Sequence, residues 1–135
     1  MVPEIDRFLE HETHHRKIFE VELARRGRSR CRSFHLCGLG GLTLGLLTGL
    51  IGSQAISATT VAIERVVLRH LEEQQLALAP IDLAAATAIG SIISDERDHH
   101  DAAESQVDRE NFWVRFLEPV VAASTEAVIW LGMKL

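Results

Sequence analysis

Two Glu-x-x-His pairs and one isolated glutamate are the residues of this chain whose types and spacing can do chemistry. In Asp95-Glu96-Arg97-Asp98-His99-His100-Asp101 a carboxylate and an imidazole stand three residues apart, the separation that puts both on one face of a helix. Glu96 and His99 prolong an apolar stripe through Ala85, Ile89, Ile92 and Ile93 towards Ala103, so both point where a core should be. The pattern recurs in His11-Glu12-Thr13-His14-His15, where Glu12 and His15 fall on a stripe of Ile5, Phe8, Phe19 and Leu23. Glu64, the first formally charged residue after Arg32, interrupts a third stripe of Ser57, Thr60, Val61, Val67, Leu68 and Leu71. Three segments aim carboxylates at one interior.

A buried unpaired charge costs several kcal/mol, so three inward carboxylates require a cation among them. Ferritin-like carboxylate proteins meet that need with two metals, held by a Glu-x-x-His from each of two helices and a Glu from each of two others. Glu12, His15, Glu64, Glu96 and His99 supply five of those six ligands. Mixed oxygen and imidazole donors suit iron or manganese, and without a thiolate nothing favours zinc. The plain alternative is a set of hydrogen-bonded pairs at a wet helix interface. Two pairs in phase with buried stripes, plus Glu64 in the right chain order, favour the metal. His11-Glu12-Thr13-His14-His15 also spells the His-Glu-x-x-His of zinc peptidases, but that chemistry needs a third downstream ligand and a strand along the cleft.

The elements that must position these groups are helices. With 135 residues one domain, 1–135, is expected, and 47% hydrophobic content, three prolines and no tyrosine leave few strand or turn signals. Helices are predicted over about 3–26, 53–78, 81–107 and 111–134, with Asp82 near the start of the helix over 81–107 and a basic connector at 27–33. Between them, residues 34–63 carry no formal charge, a run long enough to cross a bilayer. A span would put Glu12 and Glu64 on opposite sides of the membrane. A crossover on one side is therefore expected, with Leu36, Leu39, Leu42, Leu46, Leu47 and Leu50 dipping into a membrane surface and Gly41, Gly45 and Gly49 marking a close helix-packing face. Ordinary core is the competing role for these leucines. The last helix, with Phe112, Trp113, Phe116 and Trp130, reads as packing and membrane contact.

The net charge of -5 speaks against nucleic-acid binding, although Arg25, Arg26, Arg28, Arg30 and Arg32 crowd together beside the apolar run, where anionic headgroups would draw them. Cys31 and Cys37 match no zinc spacing and read as reduced, buried thiols. The start lacks the features of a secretory signal, so a cytosolic setting is expected.

In this order, with Thr60-Val61-Ala62-Ile63-Glu64 and a terminal Val128-Ile129-Trp130-Leu131, the sequence resembles the demethoxyubiquinone hydroxylase family of ubiquinone biosynthesis along nearly its whole length. The resemblance implies an all-α, ferritin-like helical bundle with a Gly/Leu-rich crossover helix against the membrane. It implies a monooxygenase that uses two Fe ions and O2 to hydroxylate the ring of a polyprenylated quinone intermediate. Glu12, His15, Glu64, Glu96 and His99 match the family's ligand positions. Glu64 and Glu96 are then expected to bridge the irons, with Glu12 and His15 on one and His99 on the other. His11, His14, His100, Asp98 and Asp101 are candidates to orient the imidazoles. His70 matches a histidine the family keeps near the site, while Leu71 stands where the family has a tyrosine. Family members begin with a further helix that gives a Glu, so an N-terminally shortened bundle is expected. The implied partners are a quinone lipid, the cytoplasmic face of a membrane as a peripheral protein, and a second copy or an accessory lipid-binding protein. A non-catalytic, membrane-associated metal-binding bundle is the alternative from another functional class.

Overall fold

The computed structural model describes residues 2–31 and 34–134, with side chains from residue 6 onward. They form five helices and, among the described residues, no strand: α1 Val2–Arg25, α2 Phe34–Ile51, α3 Ser53–Leu78, α4 Leu83–Glu104 and α5 Phe112–Lys134. The helices pack as an all-α, ferritin-like bundle. Arg32 and the side chain of Ile5 lie outside the described part.

Helix ends follow local chemistry. Gly27, at φ 62°, ends α1, and the N–H groups of Gly27 and Arg28 return to the carbonyls of Ala24 and Leu23. Asp82 caps α4 by accepting the Ala85 N–H at 3.0 Å, so that helix starts two residues later than predicted. The charge-free run breaks at Gly52, whose φ of 125° is open to glycine alone. The predicted crossover is thus a helix of its own, lying back along α3.

α3 is the central element, packed most extensively on α4, then on α5, with α2 also against it. Its first half can be approached closely because Ala55, Ala58 and Ala62 have no exposed surface and no bulk. One core cluster joins Ala55 and Ala62 to Leu117 and Val121, with Leu44 of α2 against it. A second joins Leu71 to Ile89, Ile92 and Ile93 and fixes α4 on α3. α1 lies against α4.

The surface departs from sequence expectation in three places. A side chain added at Gly41, Gly45 or Gly49 would meet nothing within 4 Å among the described residues, so these glycines form no close-packing face with them. Cys31 and Cys37 are exposed rather than buried. The arginine cluster is largely neutralised: Arg25 pairs with Glu22, Arg26 with Glu22 and Asp82, and Arg30 with Glu20 while its guanidinium lies over Phe34. Leu36, Leu39, Leu42, Leu46, Leu47 and Leu50 of α2 are not core, being 52% to 86% exposed, whereas Leu44 packs inward.

Candidate metal centre

Each of the stripes that the sequence marked brings its ionisable group to one place. Glu12, Glu64, Glu96 and His99 each offer a ligand atom, and these atoms lie within 4.8 Å of one another. Glu96 and His99 are buried because α4 turns that face onto α3, while Glu12 stays on the open side. His15 is also buried and reaches Glu96 from α1, with Nδ1 2.9 Å from Oε1. Its other nitrogen, Nε2, is 3.0 Å from Asp95 Oδ2. An ionised carboxylate can only accept, so Nε2 carries a proton towards Asp95; Nδ1 would offer a lone pair to a bound cation, or carry a second proton towards Glu96 without one. Nδ1 is buried and left without a hydrogen-bond partner. Glu96 Oε2 is orphaned too, 3.7 Å from Nδ1 of His99. A cation between these groups would take up both atoms, and without one the neighbouring protons of the imidazoles and of Glu64 stand in for it.

The electrostatics point the same way. Burial, and then the neighbouring carboxyl of Glu96, push Glu64 far above the usual carboxylate range. Burial works against ionisation of Glu96 as well, but His99, the proton on Glu64 and the charge of His15 outweigh it and hold that group low. Glu12 is raised by the crowding around its carboxyl end and then by Glu96. Asp95 is lowered by its hydrogen bond to His15. Without metal, Glu64 and Glu96 therefore divide one proton between them; divalent cations would replace it with more charge.

A cavity of about 500 Å³ opens over the cluster, walled by Phe8, Phe19, Thr60, Ile63, Val67 and Leu71, with Arg16 at its rim. Beside it runs an apolar groove of about 660 Å³ between α2, α3 and α5, floored by Leu36, Leu39, Leu44 and Leu47 and closed by Val128 and Ile129. Ile63 and Val67 line both, so one wall separates the groove from the carboxylates.

His70 is placed elsewhere. Six residues beyond Glu64 is 240° round the helix, and the side chain turns to α5, where Nε2 is 2.9 Å from Glu126 Oε2. It is not part of the cavity wall. Among the orienting candidates, His11 contacts His99 at 3.0 Å, His100 meets Asp101 at 3.1 Å, and His14 and Asp98 are exposed. Asp95 was not among those candidates; the signal available was its place four residues before His99, on the flank of the same face.

A family model described as Ubiquinone biosynthesis protein COQ7 matches residues 1–132. The chain belongs to this family. No curated protein and no solved structure matches it. Membership assigns the chain to ubiquinone biosynthesis and suggests a hydroxylase role there. The family is associated with membranes, and α2 and α5 are long and apolar enough to cross one by length and composition. Yet a crossing α2 would part Glu12 from Glu64, which the fold brings together, so in this COQ7 chain α2 lies alongside the bundle.

Proposed function

We propose that this COQ7-family chain is a di-iron hydroxylase acting on the ring of a polyprenylated quinone intermediate from the cytoplasmic face of a membrane. The observation that carries the reading is the convergence of Glu12, Glu64, Glu96 and His99 under a cavity that shares Ile63 and Val67 with an apolar groove. Glu96, touching His15 on one side and facing His99 on the other, would hold metal together with either imidazole. Glu64 on the α3 side and Glu12 with His15 on the α1 side would complete the spheres. Two irons held there would supply the O2 activation that ring hydroxylation requires.

The remaining work falls to the chain itself. Glu64 gives up its proton as the site loads, and Asp95 keeps the His15 lone pair turned inward. Phe8, Phe19 and Leu71 make the cavity apolar enough to hold a quinone ring and exclude bulk water. The isoprenoid tail would lie in the groove between α2 and α5, and the exposed leucines of α2 with Phe112, Trp113 and Phe116 of α5 would seat that face in the lipid interface.

The peptidase reading draws no support, because His11 and His15 engage different partners and no strand is present among the described residues. Iron analysis of anaerobically loaded protein tests the proposal: two irons per chain are expected. Rescue of a quinone-hydroxylation-deficient strain, abolished by His99→Ala, is the second expected result. A chain that binds no metal, or that rescues equally with His99→Ala, would leave the non-catalytic bundle as the better account.

A further inference from the structure

The first histidine of His11-Glu12-Thr13-His14-His15 is outside the group of four mutually close ligand residues, yet it is tightly engaged. His11 Nδ1 lies 3.0 Å from Nε2 of His99, and the rings stack with centroids 5.2 Å apart and planes 19° from parallel. Phe8 packs against His99 as well, 4.1 Å away, so that only 1% of His99 is exposed. Water cannot serve this imidazole, and among the described residues His11 is the partner its Nε2 has.

The direction of that bond follows from what His99 must do. Its Nδ1 faces Glu96 at 3.7 Å, and a ring nitrogen ligates a metal only through a lone pair. The ring proton must then sit on Nε2 and be donated to Nδ1 of His11, which places the proton of His11 on its own Nε2. Across the same seam the reverse arrangement holds, with Nε2–H of His15 donated to Asp95 at 3.0 Å.

Resting on the metal-centre reading above, we infer that His11 is a positioning residue: α1 supplies the acceptor that fixes the tautomer and rotation of His99, while α4, through Asp95, does the same for His15. Each helix braces the other's imidazole. The two braces differ in kind. A carboxylate raises the donor strength of the imidazole it holds, and a neutral ring does so less, so the ion on the His99 side is held by the weaker donor.

Cobalt(II) titration followed by d–d absorption tests this with wild type, His11→Ala and His11→Asn. Wild type should take up two ions per chain. His11→Ala should keep one at nearly unchanged affinity and bind the other roughly 10- to 100-fold more weakly. His11→Asn, whose side-chain oxygen accepts from nearly the same position, should recover most of the loss. In the protein loaded with diamagnetic zinc(II), imidazole ¹⁵N shifts should report the Nε2–H tautomer of His99 in wild type and a mixture in His11→Ala. Unchanged cobalt binding and spectrum in His11→Ala would overturn the inference. So would a folded His11→Asn as defective as His11→Ala, since ring packing and not the acceptor would then be what matters. Wild type that binds no cobalt would sink the metal centre itself, a result read before any variant is made.

Discussion

The two Glu-x-x-His pairs have one spacing and two environments. The α4 pair is buried on a helix that Leu71, Ile89, Ile92 and Ile93 lock against α3. In the α1 pair His15 is buried but Glu12 is exposed, and α1 meets α4 largely through the site: Phe8 and His11 on His99, and His15 on Asp95 and Glu96. One pair is preorganised by the core. The other is held by the contacts of the site it helps to build, so under the proposed function metal binding and helix docking would be linked on α1 and separate on α4.

Breaking the buried pair should have the largest effect. Glu96→Gln is expected to lose metal and hydroxylation by more than the roughly 10- to 100-fold that loss of an outer partner brings. Its metal-free stability should fall, because Glu64 and His15 lose the carboxylate that shares the Glu64 proton and faces the His15 ring; metal analysis and urea unfolding check both. A Glu96→Gln protein that kept two ions would undo the contrast. The support of that pair comes next: Ile92→Ala, at 1% exposure, should cost about 2–5 kcal/mol by urea unfolding. Leu46→Ala, at 62% exposure, should change stability by less than about 0.5 kcal/mol while weakening flotation with anionic vesicles.

The α1 side sharpens the comparison. Adding metal should slow amide exchange across α1 about tenfold or more and leave the core-facing amides of α4 nearly unchanged. Equal protection of both helices would show that α1 is as firmly seated as α4. The smallest effect concerns the far end of the α1–α4 seam, where Asp82 receives Arg26 at 2.6 Å and the Ala85 N–H. Arg26 first, then that N–H, hold the Asp82 carboxyl below its usual value. A depressed acid contributes stability above its unfolded value and loses it as pH falls through the folded one. Asp82→Asn should therefore lower the melting temperature by a few degrees at neutral pH, and the difference should vanish on the acid limb.

What the sequence could reveal was decided by phase. Glu12, Glu64, Glu96 and His99 each interrupt an apolar stripe, and helical periodicity alone carries them to one interior. Gly27 and Asp82 announce helix ends by local backbone chemistry. What it hid depends on distant partners. Nothing near His70 says that it will meet Glu126, 56 residues on. Leucines read alike whether they face a neighbour or solvent, so the exposure of α2 and the open space at Gly41, Gly45 and Gly49 required the packing of α3 and α5 to be known. The arginine run resembled a free basic patch until Glu20, Glu22 and Asp82 were seen to cover much of it.

Gly52 has a consequence for how far this molecule can reach. Thirty uncharged residues wound as one uninterrupted rod would measure about 45 Å, half as long again as the roughly 30 Å oily layer of a bilayer. A single residue without a side chain, at φ 125°, doubles that rod into a hairpin, with α2 laid along α3. The greasy arm is thereby kept alongside the bundle, and Glu64, twelve residues past the elbow, is returned to the side of the molecule where Glu12 stands.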